Sequence, residues 1–419
     1  MPHRPVRIAI LGINYAPEPT GIAPYTHGIA AGLSKRGHEV LVLTGHPHYP
    51  YWQRDGKNAR FRSEESLDGV RVRRFKHPVP QHHSWIGRAA MEIAFGLQIL
   101  TTRWGRPDVV ICVTPPLLAA AMSSVRARST WPRPSLGILV QDMYSRGIAE
   151  TKATSGLSAK AVRAIEALTM RLADSVSVIH TGFARDLTED FNVDTQRIQV
   201  NRNWTHVDPP DTTASAAFRD AHNWGANDVV VLHAGNMGYK QGLENVVAAA
   251  RLGNQHSRPV KFVLLGDGNQ RASLQKLAGG MPTLEFLPPV SDGEFPAALG
   301  AADVLLVNER PGVGHMSVPS KLTSYFNSGK PVLAATDEAG FTAAEIAASG
   351  AGVCVAADRP DLLLSEAIRL GTDRDLGRQL GEAGRAYCDE LLSEEAALDR
   401  YEQWVIDLAD MRRSGRGGN

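Results

Sequence analysis

Along the chain, short runs of consecutive apolar, mostly β-branched residues alternate with longer stretches whose apolar positions recur every three or four residues. The runs that read as strands in the first half are Val6–Asn14, Glu39–His46, Val70–Lys76, Val109–Thr114, Leu136–Gln141, Ser175–Thr181 and Arg197–Asn201. Helical spacing lies between them at Ala23–Arg36, Ile86–Arg103, Leu118–Arg126, Ala159–Leu172 and Gly182–Asp190. Near-continuous apolar strands are buried on both faces, so this alternation predicts parallel sheets covered by helices on either side. The second half repeats the scheme, with strands at Val229–Gly235, Val260–Leu265, Leu284–Leu287, Asp303–Asn308, Pro331–Thr336 and Gly352–Ala356. Its helices include Leu243–Arg251, Gln270–Leu277 and Lys321–Ser328. Two prolines and a cluster of turn formers in Asn203–Asp211 separate the halves. The expected fold class is α/β, with two doubly wound domains at residues 1–205 and 206–394. Ligands of such sheets sit beyond the C-terminal strand ends, so a cleft with the two domains facing each other is the default site. A helix over 395–411, with Leu398, Tyr401, Val405 and Leu408 on one side, is expected to pack back toward the first domain. Residues 412–419 (RRSGRGGN) are expected to form a disordered tail.

Composition narrows the class. The 419 residues, 43% hydrophobic and 21% charged, are ordinary globular material with room for two domains. Three scattered cysteines, Cys112, Cys354 and Cys388, make no disulfide framework or zinc set, which fits a reducing, cytoplasmic compartment. The first residues carry only a strand-length apolar run and are a poor secretory signal. No apolar stretch approaches the roughly 20 residues of a membrane span, and the longest candidate, Ala89–Leu100, contains Glu92.

The net charge of +1 hides an asymmetry. Residues 1–205 hold 26 Lys and Arg against 16 Asp and Glu, a balance of +10; the remainder holds 19 against 28, or −9. A basic half suits phosphates, of lipid headgroups, of a lipid-linked substrate or of nucleic acid, unless the imbalance is drift between two domains. The stretch His82–Arg106, with Trp85, Arg88, Arg103 and Trp104, reads either as a helix lying on a membrane or as a core helix with a basic outer side.

The candidate chemistry lies after the strands. The loop Gly12–Gly21 (GINYAPEPTG) lacks the tight dinucleotide fingerprint. Gly21, just before a helix, either admits substrate to the positive helix end or closes a plain connection. The stretch HAGNMGYKQGL, His233–Leu243, sets Lys240 in a glycine-spaced turn. A lysine beside free N–H groups suits a diphosphate as a point charge; the alternative is an exposed turn lysine. LLGDGN and LEFLPPV end strands at the same rim and offer backbone groups for a base pocket, Gly266 and Val290 among them. In VNERPGVGHMSVPSKLTSYFNSGKPVL a strand delivers Glu309, and Ser317, Pro319 and Ser320 lead into a helix starting near Lys321, with proline at its start and serine as its cap the expected start signals. Glu309 is placed to hydrogen-bond sugar hydroxyls or to stabilise positive charge developing at an anomeric carbon. The pair Asp373 and Asp375 reads as a helix N-cap rather than a metal site. His46, His48, His77, His82 and His83 match no zinc spacing and are expected to rim a polar pocket or the surface.

Taken together, HAGNMGYKQGLE, FVLLGDGNQRASL, LEFLPPV and ERPGVGHMSVPSKLTSYFNSGKPVLA resemble the donor-binding half of family-4 glycosyltransferases. The opening NYAPEPTGIAPYTHGIAAGLSKRGHEVLVLTG is similar to the acceptor side of the same family, so the likeness spans nearly the whole chain. VPSK, QDMY and NWTHVD look most like the fucosyl- and N-acetylfucosaminyl-transferases of bacterial colanic-acid and O-antigen assembly. The resemblance implies the GT-B fold, two Rossmann-like domains across a cleft, and transfer with retention from a nucleotide-diphosphate sugar, UDP favoured and GDP second. The implied acceptor is a polyprenyl-diphosphate-linked saccharide at the inner face of the cell membrane, with no metal or other cofactor and no nucleic acid. Lys240 matches the family's diphosphate lysine, Gly21 its donor-binding loop glycine near the transferring phosphate and Glu309 the glutamate on the donor sugar. Asn236 stands where the family has an arginine, a loss that Lys321 offsets, and the ribose glutamate falls near Ser324. Asp142 fills the position of a histidine on the acceptor side. A sugar-nucleotide epimerase of the same architecture is the alternative. A nicotinamide oxidoreductase is disfavoured by the missing glycine fingerprint, and a non-catalytic sugar-binding protein by the absence of an export signal.

Overall fold

The computed structural model describes residues 4–18, 21–49, 52, 60–80, 85–143, 157–314 and 320–414. The chain divides into two compact units, one made of residues up to Asn203 together with those from Ala397 onward, the other of Trp204–Ala396. Each is built on its own sheet.

The first unit holds an eight-stranded sheet. Its strands are β1 (Arg7–Leu11), β2 (Glu39–Gly45), β3 (Arg62–Leu67), β4 (Val70–Phe75), β5 (Val109–Thr114), β6 (Ser135–Val140), β7 (Ser175–Val178) and β8 (Ile198–Val200). Their order is β3-β4-β2-β1-β5-β6-β7-β8, so the direction of winding reverses between β1 and β5. Seven strands are parallel, and β1, β5 and β6 are buried almost end to end, as their unbroken apolar runs require. The exception is β3, which runs antiparallel to β4 at the edge. Its sequence, RSEESL, has no apolar alternation because both faces are largely wet. Cross-strand ion pairs join it to β4, Glu64 to Arg73 and Glu65 to Arg74, each at 2.6 Å. A polar edge strand of this kind carries no periodicity signal, and the pattern reading misses it.

The helix Glu394–Ser414 returns to this unit. Tyr401, Trp404, Val405 and Leu408 are wholly buried, while Leu398 is only partly covered. The Trp404 indole donates to Ser175 Oγ at 2.9 Å, and Gly137 on β6 leaves the space its ring occupies. The expectation of a disordered tail from Arg412 is corrected over its first residues. The helix runs on to Ser414 because Arg412 reaches back to the Asp108 carboxylate, which Arg7 also holds. Residues 415–419 lie outside the described residues.

The second unit holds six parallel strands in the order β11-β10-β9-β12-β13-β14. They are β9 (Val229–Ala234), β10 (Val260–Leu265), β11 (Leu284–Leu287), β12 (Val304–Asn308), β13 (Val332–Thr336) and β14 (Gly352–Ala356). Winding reverses between β9 and β12, and apolar clusters fill both sides of the sheet. Asp373 caps the helix Arg374–Leu391 by accepting from the Leu376 amide at 3.0 Å, the role its sequence position predicts.

Candidate functional site

In the second unit the functional side chains gather where β9, β10 and β12 end, beside the point where the winding reverses. His233, near the end of β9, is completely buried. Lys321 opens the helix Lys321–Asn327, and its Nζ lies 3.2 Å from His233 Nε2 and beside Gly235. Burial of the ammonium brings its pKa down to about 7, although the Glu309 carboxylate pulls it upward. Burial, and then Lys321, holds His233 well below the usual histidine range, so the imidazole is neutral. The Tyr325 hydroxyl accepts from the Ala234 amide at 2.9 Å and fixes the last residue of β9.

Glu309 follows β12, with its own amide bonded to Ala335. Its carboxylate accepts from Thr342 at 2.9 Å and from the Thr336 hydroxyl. Burial raises its pKa, against the pull of those two hydroxyls and of Lys321. Two oxygens held by two hydroxyls cannot rotate freely, so the carboxylate is fixed in orientation while keeping lone pairs for further donors.

The loop that carries Lys240 differs from its expected form. The amides of Gly235, Met237, Gly238, Gln241 and Gly242 are all bonded within the unit, so these are not free groups awaiting a phosphate. Lys240 is exposed on a short 3-10 turn, Tyr239–Gln241. That turn is clamped to the end of β12. Arg310 donates its amide to the Lys240 carbonyl at 2.9 Å, stacks on the Tyr239 ring and pairs with Glu244. Asn308 donates to the Gln241 and Gly242 carbonyls. Gly266 is required because a Cβ there would lie 2.0 Å from the Gly235 carbonyl oxygen; its φ is +134°. The loops after β9 and β10 thus cross in contact.

The remaining predicted residues divide. Asn236 is exposed beside His233, and Val290 packs its side chain on the hydrophobic core. Ser320 stands before the helix as expected, but it has helical dihedrals and its side chain makes no capping bond. The capping role is therefore corrected. Ser317 and Pro319 lie outside the described residues. Asp337 holds the start of their loop by accepting from the Gly312 and Gly314 amides.

The first unit carries a different constellation at the equivalent rim. Glu18 in the loop after β1 is 4% exposed, and it accepts from Asn14 Nδ2 at 2.9 Å and from the amides of His48 and Tyr49 at 2.8 and 3.0 Å. These bonds lower its pKa against the opposing effect of burial, the larger single influence. The carboxylate staples the loop after β1 to the loop after β2. Gly21, at φ +71°, lies under the Tyr49 ring, where a Cβ would stand 3.2 Å from Cε1. His48 and His77 are buried here, edge to face at 4.8 Å, and not on the surface. Burial lowers the His77 pKa to about 4. His82 and His83 lie outside the described residues. Asp142, exposed after β6, accepts from the Met143 amide. Among the described residues no group of three or more His, Cys, Asp or Glu is placed to hold a metal ion.

His233, Thr336, Thr342, Tyr325 and Glu18 escape the motif reading. Only Glu18 left a signal, a carboxylate between two prolines.

A model described as glycosyl transferase 4-like domain matches residues 20–204, and one described as glycosyl transferases group 1 matches residues 215–387. A protein of Escherichia coli (strain K12) named as a colanic acid biosynthesis glycosyl transferase, WcaI, is 31% identical over 337 residues, 77% of this chain and 82% of its own length. Among solved structures, Anabaena HepE in complex with UDP has a TM-score of 0.70 at 15% identity, covering 96% of this chain and all of that one; it is also known with UDP-glucose. Sucrose-phosphate synthase from Thermosynechococcus elongatus has a TM-score of 0.70 at 17% identity, covering 96% of this chain and 99% of its own.

Proposed function

The chain is a family-4 glycosyltransferase of the GT-B fold, and from that premise we propose that it moves a sugar from a nucleotide diphosphate to a saccharide hydroxyl. The observation that carries the proposal is the grouping of Lys321, His233 and Glu309 at the ends of β9 and β12. Among the described residues the half-buried Lys321, against a neutral imidazole, faces no counter-charge other than Glu309, and a diphosphate supplies one. UDP is the favoured nucleotide, as HepE binds UDP and UDP-glucose, with GDP second. The acceptor is a polyprenyl-diphosphate-linked saccharide, and the enzyme works from the inner face of the cell membrane. Relatedness to WcaI supports a surface polysaccharide as the product.

Transfer proceeds with retention and without a metal. The bond between the anomeric carbon and the diphosphate oxygen breaks, and the acceptor oxygen bonds to that carbon on the same face. The acceptor's proton passes to the departing diphosphate oxygen. Lys321, with Lys240 from the rim, stabilises the charge on that diphosphate, and Glu309 faces the positive charge developing on the sugar. Asp142 belongs to the acceptor side, and the loop at Gly21 lies near the transferring phosphate.

Thermal-shift titration with UDP, GDP, dTDP and their sugars identifies the donor, because binding raises apparent stability by mass action. Transfer to a lipid-linked acceptor, followed by anomeric coupling constants of the product, then tests retention. Release of free nucleotide only with acceptor present excludes an epimerase; release without any requirement for acceptor contradicts the transferase reading.

A further inference from the structure

The helix Trp85–Thr101 in the first unit is built inside out. Its only two charged residues, Arg88 and Glu92, turn inward with Met91, Phe95 and Ile99. Glu92 is 4% exposed and accepts from the Leu118 amide, and burial raises its pKa to about 7. Arg88 lies over the Trp52 ring. The opposite face carries Ile86, Ala90, Ile93 and Leu97, spaced i, i+4, i+7 and i+11, all exposed, with Trp85 beside them. A solvent-facing stripe with no charge is the reverse of what water selects.

The stripe runs toward a second feature. Where the chain leaves this helix and the helix Leu117–Ser129, a cavity of about 500 Å³ opens beside the N-terminal ends of β5 and β6, the edge of the sheet away from Glu18 and Gly21. Arg103, Arg106 and Arg126 line it with Trp104, Thr130 and Trp131, and no carboxylate does. Arg126 and the Trp104 indole both donate to the Ile99 carbonyl, so the cavity is fastened to the last turn of the inverted helix. Among the described residues Arg103 and Arg106 have no ion-pair partner, and Trp131 is 89% exposed. Arginines and a tryptophan bordering an apolar stripe are the arrangement found at a lipid–water boundary.

We propose that this face docks on a bilayer, with the stripe among the acyl chains and the phosphate of an anionic lipid headgroup in the arginine cavity. The first half's surplus of positive charge, +10, complements such a surface. The site extends the membrane-borne acceptor proposed above, but its test does not depend on glycosyl transfer.

Flotation of the full chain with vesicles of phosphatidylcholine, alone or mixed with phosphatidylglycerol, tests it. The wild type is expected to float with the mixed vesicles and to release at high salt. Replacing both Arg103 and Arg106 by Ala should weaken that binding on the order of tenfold. The double variant Ile93→Ser, Leu97→Ser should abolish binding to either vesicle. All four side chains are solvent-facing, so thermal midpoints and UDP binding should stay at wild-type values. Failure of UDP binding in the wild type would count against the proposed function and leave this site untouched. The docking proposal is overturned by absence of flotation, or by flotation that neither double variant changes. It is equally overturned if inorganic phosphate stabilises the wild type but not the arginine variant while vesicles fail to bind, an outcome that makes the cavity a free-anion site.

Discussion

The two units answer the same topological problem with opposite chemistry. In each, the loop after the first central strand meets a helix beside the reversal of winding, the usual place for a ligand. In the first unit a carboxylate, Glu18, is spent inside the protein, pinning one loop to the next beside two buried histidines. In the second a cation, Lys321, is half-buried against a neutral imidazole, with one carboxylate, Glu309, acting on it among the described residues. The amides of Gly235, Met237, Gly238, Gln241 and Gly242 in the second unit are already used, so a glycine-spaced turn alone does not make its rim an anion site. What separates the units is the group each places at its rim: the Lys321 ammonium in the second, a stapled carboxylate, Glu18, in the first. Under the proposed function it is the second rim that takes the diphosphate.

The sharpest way to break this contrast is Lys321→Ala, which should lower turnover on the order of 10²–10³ and weaken UDP binding in calorimetry. Lys240→Ala should also lower turnover by roughly 10² or more if this lysine meets the diphosphate. Near-normal turnover in that variant removes Lys240 from the mechanism. Glu309→Gln keeps the shape and the hydrogen-bonded oxygen but loses the charge. It should reduce turnover by about 10² while leaving UDP affinity near that of the wild type.

A smaller effect is expected from pH. Because burial lowers Lys321 to about 7, well under the ordinary value of 10.5, the empty site sheds the proton near neutrality. An anionic donor binds the protonated form, so affinity for a nucleotide sugar should be greatest below pH 7 and fall as pH rises past it. Lys321→Gln should flatten that profile at a weaker level. Smallest for the donor is Glu18→Ala. It should cost about 2 kcal/mol of stability by leaving buried amides unpaired, and raise the acceptor KM with UDP affinity unchanged. A rise in the Kd for UDP of equal size would erase the distinction between the units.

How much of this was legible in the sequence follows from what each residue's neighbours are. The apolar strands were readable because burial on both faces writes itself into every position, as in Val109–Thr114. The polar edge strand Arg62–Leu67 was not, since its pairing rests on backbone bonds and on ion pairs with β4. Glu309 and Lys321 stood out by their motif, but the imidazole that Lys321 faces lies 88 positions away on β9, beyond any local pattern. Gly266 reads as a backbone group for a base pocket, and only the crossing loops reveal that a Cβ there has no room. The arginine tail was misread from composition because its anchor, Asp108, lies 304 positions earlier.

The central claim is that the diphosphate of the donor is held by Lys321 at the ends of β9 and β12. A crystal structure with an intact nucleotide sugar tests it most directly. A diphosphate oxygen is expected within hydrogen-bonding distance of Lys321 Nζ, and a sugar hydroxyl on Glu309. A diphosphate bound elsewhere, with Lys321 still against His233, would contradict it.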